Sequence, residues 1–315
     1  MADRIPVLLI AGTGRTGSTL VGNLLGSTPG AVSIGEVRHI WIRGVEQNWA
    51  CGCGKPFHAC PFWGEVLNQA FGGTANLDID RLRMSERRLL RLRASPGALR
   101  WIRRPELLRA EHGYYMDTLE GLYRAIAAVS GAEVIVDSSK TPSYAALVST
   151  LTPVDLRVLH LVRDPRAAAH SWLNPKPSPD RSTSGAMDRI GAAKSAVLWA
   201  WWNGLSDRLW AARSDIPAMR VRYETLTAAP EAILQSVRDR LIPETAGRPL
   251  AVVGDTAELS MAHTVSGNPD RMRTGAVTIT PDERWRTGLA THHRAAVLTI
   301  AGPKMLQYGY GRRNR

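Results

Sequence analysis

The sequence predicts an α/β fold, a central parallel sheet flanked by helices and interrupted by helical insertions. Short apolar runs bounded by turn signals recur at residues 7–11, 134–136, 156–162 and 219–223, separated by longer mixed segments. That alternation is the pattern of parallel strands joined by helical crossovers. The first run feeds a loop rich in Gly, Ser and Thr and then a stretch, residues 20–25, that can continue as a helix. The run at 156–162 ends in Arg163-Asp164-Pro165-Arg166, and Pro165 suits the first turn of a helix that the following alanines extend.

Composition sets the bounds. A chain of 315 residues with 44% hydrophobic and 22% charged residues is of globular type, and it buries roughly three-quarters of its unfolded surface. We expect one domain over residues 1–315, with residues 44–130 and 174–192 as insertions that shape an acceptor site or a lid. The net charge of +12 favours anionic partners, such as nucleic acid, a membrane surface or a polyanionic small molecule. The same excess is also what solvated helix faces carry. Residues 80–111 interleave Arg87, Arg88, Arg91 and Arg93 with Leu89, Leu90 and Leu92, and read as one or two basic amphipathic helices. A solvated cover over the sheet is favoured there over a membrane or partner surface. Residues 174–185, rich in Pro and Ser, read as a mobile loop able to serve as a lid. Trp199, Trp202 and Trp210 fall on a helical segment at core spacing.

No apolar stretch approaches the ~20 residues needed to span a bilayer, and residues 7–11 are too short for a signal peptide. Three cysteines are too few for a disulfide framework. Together these set the expectation of a soluble, cytoplasmic protein.

The loop Gly12-Thr13-Gly14-Arg15-Thr16-Gly17-Ser18-Thr19 has the spacing of the phosphate loop G-x-x-x-x-G-K-[ST], with Ser18 where the lysine belongs. It still suits an anion. Glycines let backbone approach a ligand, and free N–H groups at a helix N-terminus point toward it. Thr16, Ser18 and Thr19 add hydroxyl donors, and Arg15 adds charge in a planar fork. An ATPase or GTPase needs the lysine on its β- and γ-phosphates, so its absence argues against that class. Arg163 stands at the carboxyl end of a strand, where open α/β sheets bind ligands. Ser171 lies about two turns further on.

Together these segments resemble the donor-binding pair of the sulfotransferase superfamily, which uses 3′-phosphoadenosine 5′-phosphosulfate (PAPS). The likeness is closest to bacterial members and to the carbohydrate and tyrosylprotein branches, and it implies a P-loop-like sheet. Arg15-Thr16-Gly17-Ser18-Thr19 resembles the 5′-phosphosulfate loop. Leu161-Val162-Arg163-Asp164-Pro165-Arg166, continuing to Ser171, resembles the 3′-phosphate segment, with Arg163 and Ser171 as phosphate ligands. Gly35-Glu36 is similar to the place where those branches carry an acidic base. Val136-Asp137-Ser138-Ser139-Lys140-Thr141 resembles the segment with a catalytic lysine, and Val221-Arg222-Tyr223 a strand whose tyrosine lies near the nucleotide. Ser266-Gly267-Asn268-Pro269, with Arg271 and Arg273, resembles a C-terminal loop that closes over PAPS. The unmatched residues 44–130 are then the acceptor-specific part.

The resemblance implies in-line sulfuryl transfer to an acceptor hydroxyl, with Glu36 as general base and Lys140 and Arg15 stabilising the transferring group. Fixed cations do this neutralisation without a metal. An unperturbed glutamate titrates at about 4.3, so efficient base catalysis calls for burial to raise it. His39 is the alternative base. The acceptor is a small molecule, carbohydrate or phenol, its identity open. Two other functions remain: a P-loop nucleotide kinase, which the missing lysine disfavours, and a basic nucleic-acid-binding protein, for which no recognisable module is present.

Cys51, Cys53, His58 and Cys60 present three thiols and an imidazole within ten residues. Free thiols, a local disulfide and a Cys₃His zinc site all fit that inventory, although C-x-C is tighter than the common zinc knuckle.

Overall fold

The computed structural model describes residues 4–90, 96–178, 185 and 187–311. Five strands form one parallel sheet: β1 (Ile5–Gly12), β2 (Ala31–Gly35), β3 (Val134–Lys140), β4 (Val154–Val162) and β5 (Ala218–Arg222). Their order is β2-β3-β1-β4-β5, and every neighbouring pair is parallel. The chain therefore reverses direction of winding on either side of β1, which makes the carboxyl end of β1 the natural ligand crevice.

Helices cover both faces, which is why β1 reads as an unbroken apolar run. Val7 and Leu9 enter one core with Ile34, Ile135 and Tyr123. Leu8 and Ile10 enter the other with Leu24, Val136 and Leu159. α1 (Ser18–Gly26) follows β1. Between β2 and β3 lie α2 (Pro61–Phe71), α3 (Ile79–Leu89), α4 (Ala98–Arg103) and α5 (Pro105–Ser130). α6 (Pro142–Val148) links β3 to β4; α7 (Pro165–Leu173) and α8 (Ala192–Ala212) link β4 to β5. α9 (Tyr223–Ala228) and α10 (Pro230–Leu241) follow. A small antiparallel sheet of β6 (Val252–Val253), β7 (Thr256–Leu259) and β8 (Gly275–Thr278) comes next. α11 (Trp285–Gly288) and α12 (Thr291–Gln307) close the described fold. Proline opens α2, α5, α6, α7 and α10, since its missing N–H costs nothing in the first turn.

The arginine-rich segment is a solvated cover. Leu82 and Leu89 of α3 are buried while Arg81, Arg87 and Arg88 are exposed; Arg91, Leu92 and Arg93 lie outside the described residues. In the second expected insertion the described residues of 174–191 form no helix; Pro175 and Pro177 restrict the backbone there and lack N–H donors. The segment instead folds back on itself, Ser178 N–H donating to Gly185 (2.8 Å) and Met187 N–H to Lys176 (3.1 Å). Half of the expected mobile loop, residues 179–184, lies outside the described residues. Among the tryptophans, Trp199 and Trp210 join the core, whereas Trp202 faces a cleft. No helix among the described residues is long and apolar enough to cross a membrane.

A buried polar knot fixes the end of β3. Tyr123 donates to Asp137 Oδ2 at 2.6 Å, Asp137 Oδ1 accepts the Ser139 amide at 2.8 Å, and the Tyr144 hydroxyl sits 3.1 Å from that of Tyr123. Burial pushes the Asp137 carboxyl up to about 6 despite these donors. The group's contribution to stability is thus complete below its ordinary value and is lost as pH rises through about 6. Tyr123→Phe should destabilise the fold by about 1–3 kcal/mol, more at pH 8, where the ionised carboxylate has lost a donor, than at pH 5. Urea unfolding at the two pH values checks this.

Candidate active site

The carboxyl ends of β1, β3 and β4 open onto one cleft of ≈ 780 Å³. Among the described residues, nine Arg and Lys side chains but five carboxylates line it, so the cleft is built for an anion.

The loop after β1 forms its floor. Gly17, at φ 89°, caps α1 in a left-handed conformation, and a Cβ there would lie 2.5 Å from the Tyr223 ring. Thr13, Gly14, Arg15, Gly17, Ser18 and Thr19 line the cleft at the N-terminus of α1, the place where helix geometry favours anions. Arg15 stacks 4.5 Å from the Trp172 ring and reaches Met187 Sδ at 3.0 Å. Thr16 departs from expectation: its hydroxyl turns inward, fully buried, and donates to Thr13 O at 3.0 Å. That side chain ties the loop to itself rather than serving as a donor in the cleft.

Arg163, 6% exposed, stands where β4 gives way to α7. Its guanidinium lies over Tyr223 (4.5 Å), donates to Arg15 O (3.1 Å) and pairs with Asp282 (2.9 Å). Trp199 Nε1 anchors its carbonyl at 2.8 Å. Tyr223, expected beside a nucleotide, packs under this guanidinium and against Gly17. Ser171 reaches the same cleft from α7. Arg284 and Arg163 together hold the Asp282 carboxyl well below the usual carboxylate range.

Glu36 follows β2 and faces Lys140 from the end of β3; Lys140 Nζ donates to Glu36 Oε1. Both are half-buried in the cleft wall. Lys140 takes a left-handed backbone, φ 66°, just beyond the Asp137 knot. His39 joins the two acids nearby, its Nε2 3.8 Å from Glu36 and its Nδ1 3.5 Å from Glu86. The protonation states differ from expectation. Burial raises Glu36, but Lys140, Arg43 and Arg38 outweigh it and hold the carboxyl at about 2. Burial, reinforced by the same cations, keeps His39 well below its ordinary value and hence neutral at pH 7. Glu86 carries the raised value instead, pushed by burial to about 7.

The segment after β7 crosses the cleft mouth. Gly267, Asn268 and Arg273 line it, and the Asn268 amide donates to Thr19 Oγ1 at 3.4 Å. Ser266 and Arg271 do not reach it. Ser266 accepts from Arg43 (2.6 Å), and Arg271, almost wholly buried, donates to Ala50 O (2.5 Å); both brace the segment from behind. Sequence reasoning missed Arg38, Arg43, Glu86 and Asp282. Arg38 and Arg43 lie on either side of a tight-to-wide change of helical winding at Ile40–Glu46, where no regular period announces them.

Glu86 gives a direct test of this electrostatic arrangement. With its folded value raised, its stability contribution is present below its ordinary value and lost as pH rises through about 7. Glu86→Gln should therefore gain stability over the wild type at pH 8, by about 1–3 kcal/mol at roughly 1.4 kcal/mol per pH unit, and show little gain at pH 4. An equal effect at both pH values in urea unfolding would contradict the assignment.

A family model described as the sulfotransferase family matches residues 6–242. The fold is similar to the sulfotransferase domain of an olefin synthase from Synechococcus PCC 7002, at 18% identity and TM-score 0.54 over 99% of this chain and 97% of that one. It is also similar to the sulfotransferase domain from the curacin biosynthetic pathway, at 17% identity and TM-score 0.50 over 98% and 99%. No curated protein sequence matches significantly. At such identities the solved structures speak for the fold, while the family model spans most of the chain: this protein belongs to the sulfotransferase family.

Proposed function

We propose that the chain transfers the sulfuryl group of PAPS to the hydroxyl of a small-molecule, carbohydrate or phenolic acceptor. One observation carries this reading: the two cations expected to meet the donor, Lys140 and Arg163, are each held in the cleft by a carboxylate of the chain itself, Glu36 and Asp282. A bound anion can compete with each carboxylate for its cation. A 3′,5′-bisphosphate with a terminal sulfonate offers the same charges, and offers them at two separated points.

In this reading the loop at Arg15–Thr19 binds the 5′-phosphosulfate and Arg163, with Ser171, the 3′-phosphate. The acceptor oxygen attacks sulfur as the bond from sulfur to the bridging phosphate oxygen breaks. The leaving bisphosphate keeps that electron pair, and the acceptor proton passes to Glu36. Lys140 and Arg15 oppose the charge that develops on the sulfuryl and bridging oxygens. Free Glu36 is a weak base at about 2; a sulfonate that draws Lys140 away removes the largest of the cations holding it there. Leu20, Trp172, Leu198, Trp202, Val277 and Ile279 line the cleft and supply apolar surface for a purine and an acceptor ring. The Ser18 substitution in the phosphate loop disfavours a nucleotide kinase. Three cysteines are too few for a disulfide framework, which fits the expected cytoplasmic setting.

Arg163→Ala should weaken binding of 3′-phosphoadenosine 5′-phosphate (PAP) by about 1.5–3 kcal/mol, the worth of a charge-assisted contact, and leave AMP nearly unaffected. Equal losses for both would return Arg163 to a structural role. Glu36→Gln keeps the side chain's size but cannot take a proton, so turnover should fall by about 10²–10⁴ with PAP affinity nearly unchanged. Normal turnover with normal PAP binding would remove Glu36 as base and make His39 the next to test.

A further inference from the structure

The cysteine cluster lies outside the cleft, and the fold gives it a fourth member that the local sequence does not. Cys51, Cys53, Cys60 and His263 bring one ligand atom each to within 4.8 Å of one another. His58, the imidazole expected there, turns away: its Nε2 bonds the Val45 carbonyl at 2.8 Å, at the surface.

We propose that these four residues form a structural Cys₃His zinc site. Zn–S bonds of about 2.3 Å and a Zn–N bond of about 2.0 Å at tetrahedral angles place neighbouring sulfurs about 3.8 Å apart and sulfur and nitrogen about 3.5 Å apart. The structure gives Cys51–Cys60 3.6 Å, Cys53–Cys60 3.8 Å, Cys60–His263 Nδ1 3.3 Å and Cys51–His263 Nδ1 3.9 Å. A disulfide requires about 2.05 Å, and a three-thiol set would leave one sulfur over in any case. Soft thiolates with one imidazole in a tetrahedron select zinc among the common divalent ions, and four protein ligands leave no open position, the mark of a structural rather than catalytic site.

The surroundings hold the ligands in this arrangement. A tight turn runs from Cys51 to Lys55, closed by Gly54 N–H to Cys51 O (2.9 Å) and Cys51 N–H to Lys55 O (2.8 Å). The His263 ring stacks on Phe62 at 5.0 Å, and its carbonyl accepts from Trp63 Nε1 at 2.9 Å, so Nδ1 is directed at the sulfurs. Gly52 fits without a side chain: a Cβ would lie 2.4 Å from Ala262 O, and its amide donates to Thr264 O at 2.9 Å. The site thus joins the first insertion to the segment that crosses the cleft. Two residues past His263, Val265 N–H bonds Ile34 O (3.1 Å), and Ser266 O accepts from the Glu36 amide (3.4 Å). Zinc here would clamp the wall that carries Glu36 to the strap that carries Gly267, Asn268 and Arg273.

Metal analysis of the full chain, purified without a histidine tag under reducing conditions and reconstituted with zinc, tests this. About one zinc per chain should remain after desalting, and substitution with cobalt(II) should give the intense visible bands of a tetrahedral thiolate site. Cys60→Ser and His263→Ala should lose the metal, while His263→Cys, which restores four ligands, and His58→Ala should retain it. Wild-type protein that folds with three freely titrating thiols and no retained zinc would overturn the proposal, as would an internal disulfide in protein handled anaerobically. Loss of zinc from His58→Ala would overturn the ligand assignment.

Discussion

The interaction on which the rest of the structure depends is the gathering of cations at the carboxyl edge of one parallel sheet. Among the described residues, nine basic side chains share a single cleft with five acids, and like charges so confined repel unless anions intervene. The fold supplies those anions from distant parts of the chain: Glu36 from the end of β2 for Lys140, and Asp282 from beyond β8 for Arg163. In the proposed reading, these ion pairs keep the cations in place before a donor arrives. The overall charge of +12 has the same sign as the cleft, so the field that draws an anion to the molecule also points toward its destination.

This arrangement changes the chemistry expected of Glu36. A buried carboxylate alone would be a stronger base than one in water. Surrounded by Lys140, Arg43 and Arg38 it becomes a weaker one, so in the proposed reaction its basicity comes from what the donor does to those cations. The group with a raised value is Glu86, one imidazole further in. His39, neutral between the two acids, completes a row in which burial raises both carboxyls, and Lys140, the strongest of the cations lowering Glu36, is not among those acting on Glu86.

Much of this was legible in the sequence where chemistry is local. The apolar run of β1, the loop from Gly12 to Thr19 and the Arg-Asp-Pro-Arg turn announce themselves because glycine, proline and a strand's periodicity act within a few residues. β2 escaped notice because Ala31-Val32-Ser33-Ile34-Gly35 is short and ends on a polar alternation, becoming a strand by pairing with β3. Thr16, Ser266 and Arg271 have the residue types of ligand contacts but spend them on backbone carbonyls and a neighbouring arginine. That choice is made by tertiary packing. Partnerships across long separations were illegible for the same reason: Asp282 with Arg163, and His263 with three cysteines some two hundred residues earlier. His58 had the right spacing, but the turn that presents the thiols points it outward.

The account rests on the cleft being complementary to two separated anionic groups of a nucleotide. Titration of the wild-type protein with PAP, AMP and ATP, with and without magnesium and at fixed salt, measures this most directly. PAP should bind well above AMP, by roughly the worth of one charge-assisted 3′-phosphate contact, about tenfold or more, and magnesium should make little difference. Tightest binding of magnesium–ATP, or indifference to the 3′-phosphate, would contradict it.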